Sequence, residues 1–145
     1  MIHRLTALAL LLAASCSQQE AQAPQANLAA EAPKAEASVP LLEGEWSVGA
    51  IDGKPLAAAM TASFAGGKAR LASGCLRRAW TYTQKRNVVA FTSDPGGSAN
   101  CGGGTSGEQE TAYAALEQAN IVIFGKDGAE ASLSGTGGNL SLQRR

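Results

Sequence analysis

From residue 45 onward, apolar and polar side chains alternate in short runs separated by glycine-rich connections. The runs 45–51, 61–64, 69–73, 79–83, 88–92, 121–124, 131–134 and 139–144 each read as a strand, since a period of two places one face in a core and the other in water. Between them stand Asp52-Gly53-Lys54-Pro55, Gly66-Gly67, Gln84-Lys85-Arg86-Asn87, Gly125-Lys126-Asp127-Gly128 and Gly135-Thr136-Gly137-Gly138. Such connections are short enough to return the chain antiparallel. One stretch has the helical period instead. Thr105 or Ser106 supplies an N-cap, with Glu108 or Gln109 three residues on as in a capping box. Glu108 and Glu110 place negative charge in the first turn, where the macrodipole favours it. Ala112, Ala115, Leu116 and Ala119 then share one face, Tyr113 borders it, and Asn120 ends it. The expected fold is α+β, a curved, barrel-like antiparallel sheet of about eight short strands wrapping one helix.

Before residue 41 the pattern changes. His3 and Arg4 precede a continuous apolar run at 5–14. That run is about ten residues against the about 20 a bilayer-crossing helix requires, so 1–15 reads as a secretory signal peptide. Leu12-Ala13-Ala14-Ser15-Cys16 resembles a bacterial lipobox. The resemblance implies that Cys16 is acylated on sulfur and becomes a lipid-bearing N-terminus, a membrane attachment that more than one acyl chain makes stable. Ser17 after the cysteine resembles an outer-membrane sorting signal. Residues 16–40 are Ala, Gln, Glu and Pro with little bulk, which cannot offset the entropy of ordering, and read as a flexible tether. About 24 such residues reach roughly 25–30 Å, enough to lift a domain off a membrane surface. The folded domain is 41–145, about 105 residues and sufficient for one core.

Composition narrows the chemistry. The single histidine of the 145-residue chain is His3, which leaves with the signal. Imidazole catalysis and His-ligated metal are therefore excluded from the mature chain. Carboxylates are scattered without a spacing that suggests acid–base work or calcium, and no Ser-x-x-Lys pair is present. No catalytic residue, metal or cofactor is expected. With Cys16 lipidated, Cys75 and Cys101 remain as an even number in an oxidising compartment, and a disulfide between them is expected. It closes about 26 residues and contributes roughly 3.5 kcal/mol on the chain-entropy account. The run Gly102-Gly103-Gly104-Thr105-Ser106-Gly107 lacks the lysine a phosphate loop needs, and Glu108 stands in its place.

One basic–aromatic cluster remains. Arg77, Arg78, Lys85 and Arg86 flank Trp80 and Tyr82 on one hairpin. As a surface patch it suits an anionic partner such as a lipid headgroup, a phosphate or an acidic protein. The structural alternative puts Trp80 in the core and makes the cations a solvated edge that discourages sheet-to-sheet pairing. The formal net charge of the whole chain is zero, so no general basic bias points to nucleic acid. Trp46 reads as a core anchor for the first strand.

Leu42-x-Gly44-x-Trp46, Ile51-Asp52-Gly53, Phe64 near Gly66-Gly67, Gly74-Cys75, Tyr82, residues 87–91, Cys101, Glu110-Thr111-Ala112-Tyr113-x-x-Leu116 and Leu140-x-Leu142-x-Arg144 occur in one order along the domain. In that order they resemble the META domain of HslJ-like bacterial envelope lipoproteins. Leu76 stands where that family carries Asn after Gly-Cys. The resemblance implies a non-enzymatic, lipid-anchored envelope protein. Such a protein faces the periplasm from the outer membrane as a monomer and supports stress tolerance or envelope integrity through an envelope protein or anionic component. The alternative function is a periplasmic inhibitor of lysozyme or a protease, presenting residues 94–107 as its loop.

Overall fold

The computed structural model describes residues 38–100, 102 and 104–145. The signal segment, Cys16, the tether as far as residue 37 and Cys101 lie outside the described residues, as do the expectations attached to them. The chain forms β1 (Gly44–Ile51), β2 (Lys54–Pro55), β3 (Thr61–Ala65), β4 (Lys68–Ser73), β5 (Leu76–Lys85), β6 (Val88–Ser93), α1 (Gly107–Glu117), β7 (Ala119–Gly125), β8 (Glu130–Gly135) and β9 (Gly138–Arg144). From β3 to β9 each strand pairs antiparallel with the next in sequence. β1 lies beside β3, and β9 returns to β1 with Val48 opposite Leu142 and Ile51 opposite Leu140. Eight strands thus close a barrel, and two-residue β2 pairs at the margin of β1. Closure leaves few exposed edges to guard against edge-to-edge association.

Alternation within each strand sets what fills the barrel. Trp46, Phe64, Leu71, Trp80, Val122, Leu133, Leu140 and Leu142 are buried, each side chain contributing about 1.5–3 kcal/mol of apolar burial when large. Trp46 Nε1 donates to the Leu42 carbonyl at 2.6 Å, and the Arg144 guanidinium lies 4.3 Å from its ring centroid. Phe64, Tyr82 and Phe91 form a second aromatic group, Tyr82 edge-on to Phe64 at 5.4 Å and stacked on Phe91 at 5.8 Å.

The sheet closes on itself, and the helix meets it at one end. β1, β4, β6 and β8 finish there, and β3, β5, β7 and β9 begin there. The last turn of α1 runs against the β8–β9 connection so closely that a Cβ on Gly135 would strike the Gln118 carbonyl, and one on Gly137 the Ala114 carbonyl. At its other end, Glu108 accepts from the Ala57 N–H at 2.9 Å. Ser106 caps α1 and exchanges both capping-box hydrogen bonds with Gln109, as the sequence predicts. The helix stops at Glu117 and Ala119 already opens β7, earlier than the expected stop at Asn120. Its buried face is Ala112, Tyr113, Ala115 and Leu116. Among the described residues no helix is long and apolar enough to cross a membrane.

Candidate functional site

β5 is longer than the alternation predicts, because Leu76, Arg77 and Arg78 already pair with Ser73, Ala72 and Leu71 of β4. This places two adjacent arginines inside a strand, where successive side chains take opposite faces. Arg77 is exposed. On its side, residues 98–100 add a short strip: the Arg77 N–H donates to the Ala99 carbonyl at 2.9 Å, and the Ala99 N–H returns a bond at 2.8 Å. The segment that feeds this strip begins with a single 3₁₀ turn, Pro95–Gly97. It is pinned further by the Asp94 N–H to the Ala79 carbonyl at 2.8 Å and by the Ala79 N–H to Ser98 Oγ at 3.2 Å. Lys68 Nζ stands 2.9 Å from Asp94 and holds that carboxyl below its usual value, chiefly through the hydrogen bond and then through charge.

Arg78 points the other way, towards the helix. Its guanidinium carbon lies 4.5 Å from the Tyr113 ring centroid, and Nη2 lies 2.9 Å from Glu110 Oε1. Thr105 Oγ1 donates to the same Glu110 oxygen. Between the strip and the helix lies a cleft of about 160 Å³, lined by Leu76, Arg77, Arg78, Ser98, Ala99, Asn100, Thr105 and Tyr113. Tyr113 is 1% exposed, and its hydroxyl has no hydrogen-bond partner among the described residues. A buried hydroxyl without a partner costs free energy that an incoming acceptor would recover. Burial raises the Tyr113 pKa, with Arg78 acting to lower it and Glu110 to raise it. The phenol is therefore a donor at neutral pH. Two arginines and a tyrosine in the lining of one cleft are residue types suited to a small anionic or carbonyl-bearing group. Trp80, tilted against Tyr113 at 6.0 Å, also has an indole N–H without a partner among the described residues.

The six residues of the basic–aromatic cluster do not form one patch. Trp80 and Tyr82 are buried at 1% and 8% exposure, in agreement with the structural alternative for Trp80. Tyr82 donates to Glu43 Oε1 at 2.8 Å, and its pKa is raised first by burial and then by the Glu43 hydrogen bond and charge. Lys85 ends β5 and Arg86 stands in the turn after it, with Lys85 about 26 Å from Arg77 at strand spacing. Tyr113, Ser98 and Thr105 were not anticipated as site residues. Tyr113 carried one signal, its place at the border of the helix's apolar face beside acidic Glu110. Cys75 is half of a disulfide; its expected partner Cys101 is outside the described residues. The glycine-rich run leads into a helix start already occupied by Ser106, Gln109 and Glu108. Among the described residues no group of three or more His, Cys, Asp or Glu side chains converges as a metal site. Comparison with known proteins finds no family model, no curated protein and no solved structure that matches this chain.

Proposed function

We propose that this is a META-like, non-enzymatic envelope lipoprotein, anchored through acylated Cys16 in the outer membrane and facing the periplasm. It binds an anionic envelope component in the cleft between β5 and α1. Arg77 and Arg78 supply the charge, and Tyr113 supplies the directed donor. The observation that carries this reading is the buried Tyr113 hydroxyl, which has no partner among the described residues, on a residue that lines a cleft together with two arginines. The Cys75–Cys101 disulfide, part of the same reading, ties the start of β5 to the segment that leads into the helix and so keeps the walls of the cleft together. The role in stress tolerance or envelope integrity rests on the resemblance alone.

The test is a cross-linking pull-down from native envelope with the anchor intact. It compares the parent with Arg77→Glu/Arg78→Glu and with Tyr113→Phe, which removes one oxygen from a buried site. The expected result is capture of an anionic component that the double variant loses and that Tyr113→Phe weakens about tenfold, the worth of one hydrogen bond to a charged group. Unchanged capture by both variants overturns the assignment. Inhibition of lysozyme or a protease is the second reading. It is favoured by the pinning of residues 94–99 onto β5, which gives the front of the loop the rigidity an inhibitor requires. Unimpaired lysozyme and protease activity in the presence of excess protein removes it.

A further inference from the structure

The outer face of the barrel is polar over most of its surface: Lys68, Arg70, Arg77, Thr81 and Thr83 are outward-facing and exposed. One end departs from this. Among the described residues the exposed large hydrophobics are Val39, Leu41, Val88, Ile121 and Ile123, at 37%, 56%, 61%, 46% and 57%. Three of them form a cluster on the β6–β7 seam. Val88 lies directly opposite Ile121, and Ile123 follows two residues along the same face. Their inward neighbours Val89 and Val122 are buried, so the outward direction is set by the pleat. The register continues the row in the other direction, with Lys85 of β5 opposite Val88. Arg86 occupies the turn beside it, at φ 57°. Across β7 the partners of Ile121 and Ile123 are Ser134 and Ser132, so no carboxylate stands in the row.

The remaining two exposed hydrophobics belong to the chain's entry into the barrel, and that entry is fixed beside the seam. Gln84 Nε2 donates at 2.9 Å to both the Pro40 and the Arg86 carbonyls. A groove of about 310 Å³, lined by Ser38, Val39, Pro40, Asn87, Ile123 and Phe124, joins the entry to the seam. The described chain therefore begins, at Ser38, beside the end of the barrel that carries these residues.

We propose that this end of the barrel is a second membrane contact. Val88, Ile121 and Ile123 seat in the interfacial region of an anionic phospholipid leaflet, while Lys85 and Arg86 reach its phosphates. The pairing of apolar and basic side chains is what interfacial binding requires. The inference rests on the anchored reading for its orientation: a chain tethered through Cys16 presents this end to its own membrane at high effective concentration. The α1 cleft, at the opposite end, then faces away from the lipid.

The test uses the chain from residue 16 with Cys16→Ser, made without lipid, and vesicles of phosphatidylethanolamine with or without phosphatidylglycerol. Co-sedimentation should show binding that depends on phosphatidylglycerol and weakens about fivefold for each of Lys85→Gln and Arg86→Gln. It should be lost in Ile121→Ser/Ile123→Ser, whose circular dichroism and melting should match the parent because both sites are exposed. Equal binding by all variants, or binding by none, overturns the proposal. Sedimentation velocity showing a dimer that the same double variant abolishes assigns the seam to a second copy of the chain and overturns it too. The intact mass of protein from cells separates the two readings. An acylated Cys16 without vesicle binding sinks only this inference. An unmodified Cys16 with vesicle binding sinks only the anchor.

Discussion

Arg77 and Arg78 line one cleft from different sides. One is exposed beside the 98–100 strip, and the other lies over the Tyr113 ring and pairs with Glu110. Side-chain alternation in β5 also sends Trp80 and Tyr82 inward, so a cluster that is compact in sequence divides between core and surface. The chain's two tyrosines, Tyr82 and Tyr113, both have raised pKa values for which burial is the largest cause. The folded state therefore retains protons that the unfolded chain releases. The associated stability is intact below the ordinary tyrosine value of 10.0 and declines as pH rises past it. Near-ultraviolet tyrosinate absorbance should stay close to zero through that value and appear only with alkaline unfolding. A gradual transition centred there in folded protein would contradict the burial described for both rings.

At the scale of elements, the glycines between β8 and β9 serve the helix as much as the turn. Gly137→Ala should cost about 2–3 kcal/mol, because the new methyl meets the Ala114 carbonyl on a backbone that has little room to move. Gly104→Ala meets nothing within 4 Å and should change stability by less than about 0.5 kcal/mol. Urea melts of the two variants measure the difference. The individual strands and the Ser106 capping box were legible in the sequence because each is a local pattern. The start of β5 was not, since two arginines at its mouth read as a loop until β4 is in place to pair with them. β2 was read as a turn because it contributes only two residues, one of them Pro55. Closure was invisible for a different reason. Val48 opposite Leu142 is a contact between the two ends of the domain, and no local periodicity encodes it. The cleft was half legible: its arginines were singled out, whereas Ser98 and Thr105 become its lining only through the Arg77–Ala99 bridge and the placing of the helix.

Over the whole molecule, Arg144 acts as a clasp. Its guanidinium donates to the carbonyls of Glu43 at 2.8 Å, of Leu41 at 3.2 Å and of Gly128 at 3.2 Å, while lying against Trp46. The beginning and end of the domain therefore meet, across a sequence separation of 103 residues between Leu41 and Arg144. Bringing such distant segments together is entropically slow, and barrels dominated by these contacts fold in milliseconds to seconds. The same adjacency makes the domain a natural subject for circular permutation. A short glycine linker from Arg145 to Leu41, with new termini opened between Gly66 and Gly67, turns the β1–β9 pairing into a local hairpin. It leaves the barrel, the cleft and the β6–β7 seam uncut. Stopped-flow tryptophan fluorescence should find the permutant refolding faster than the parent at comparable stability, with β3–β4 becoming the pairing that closes last.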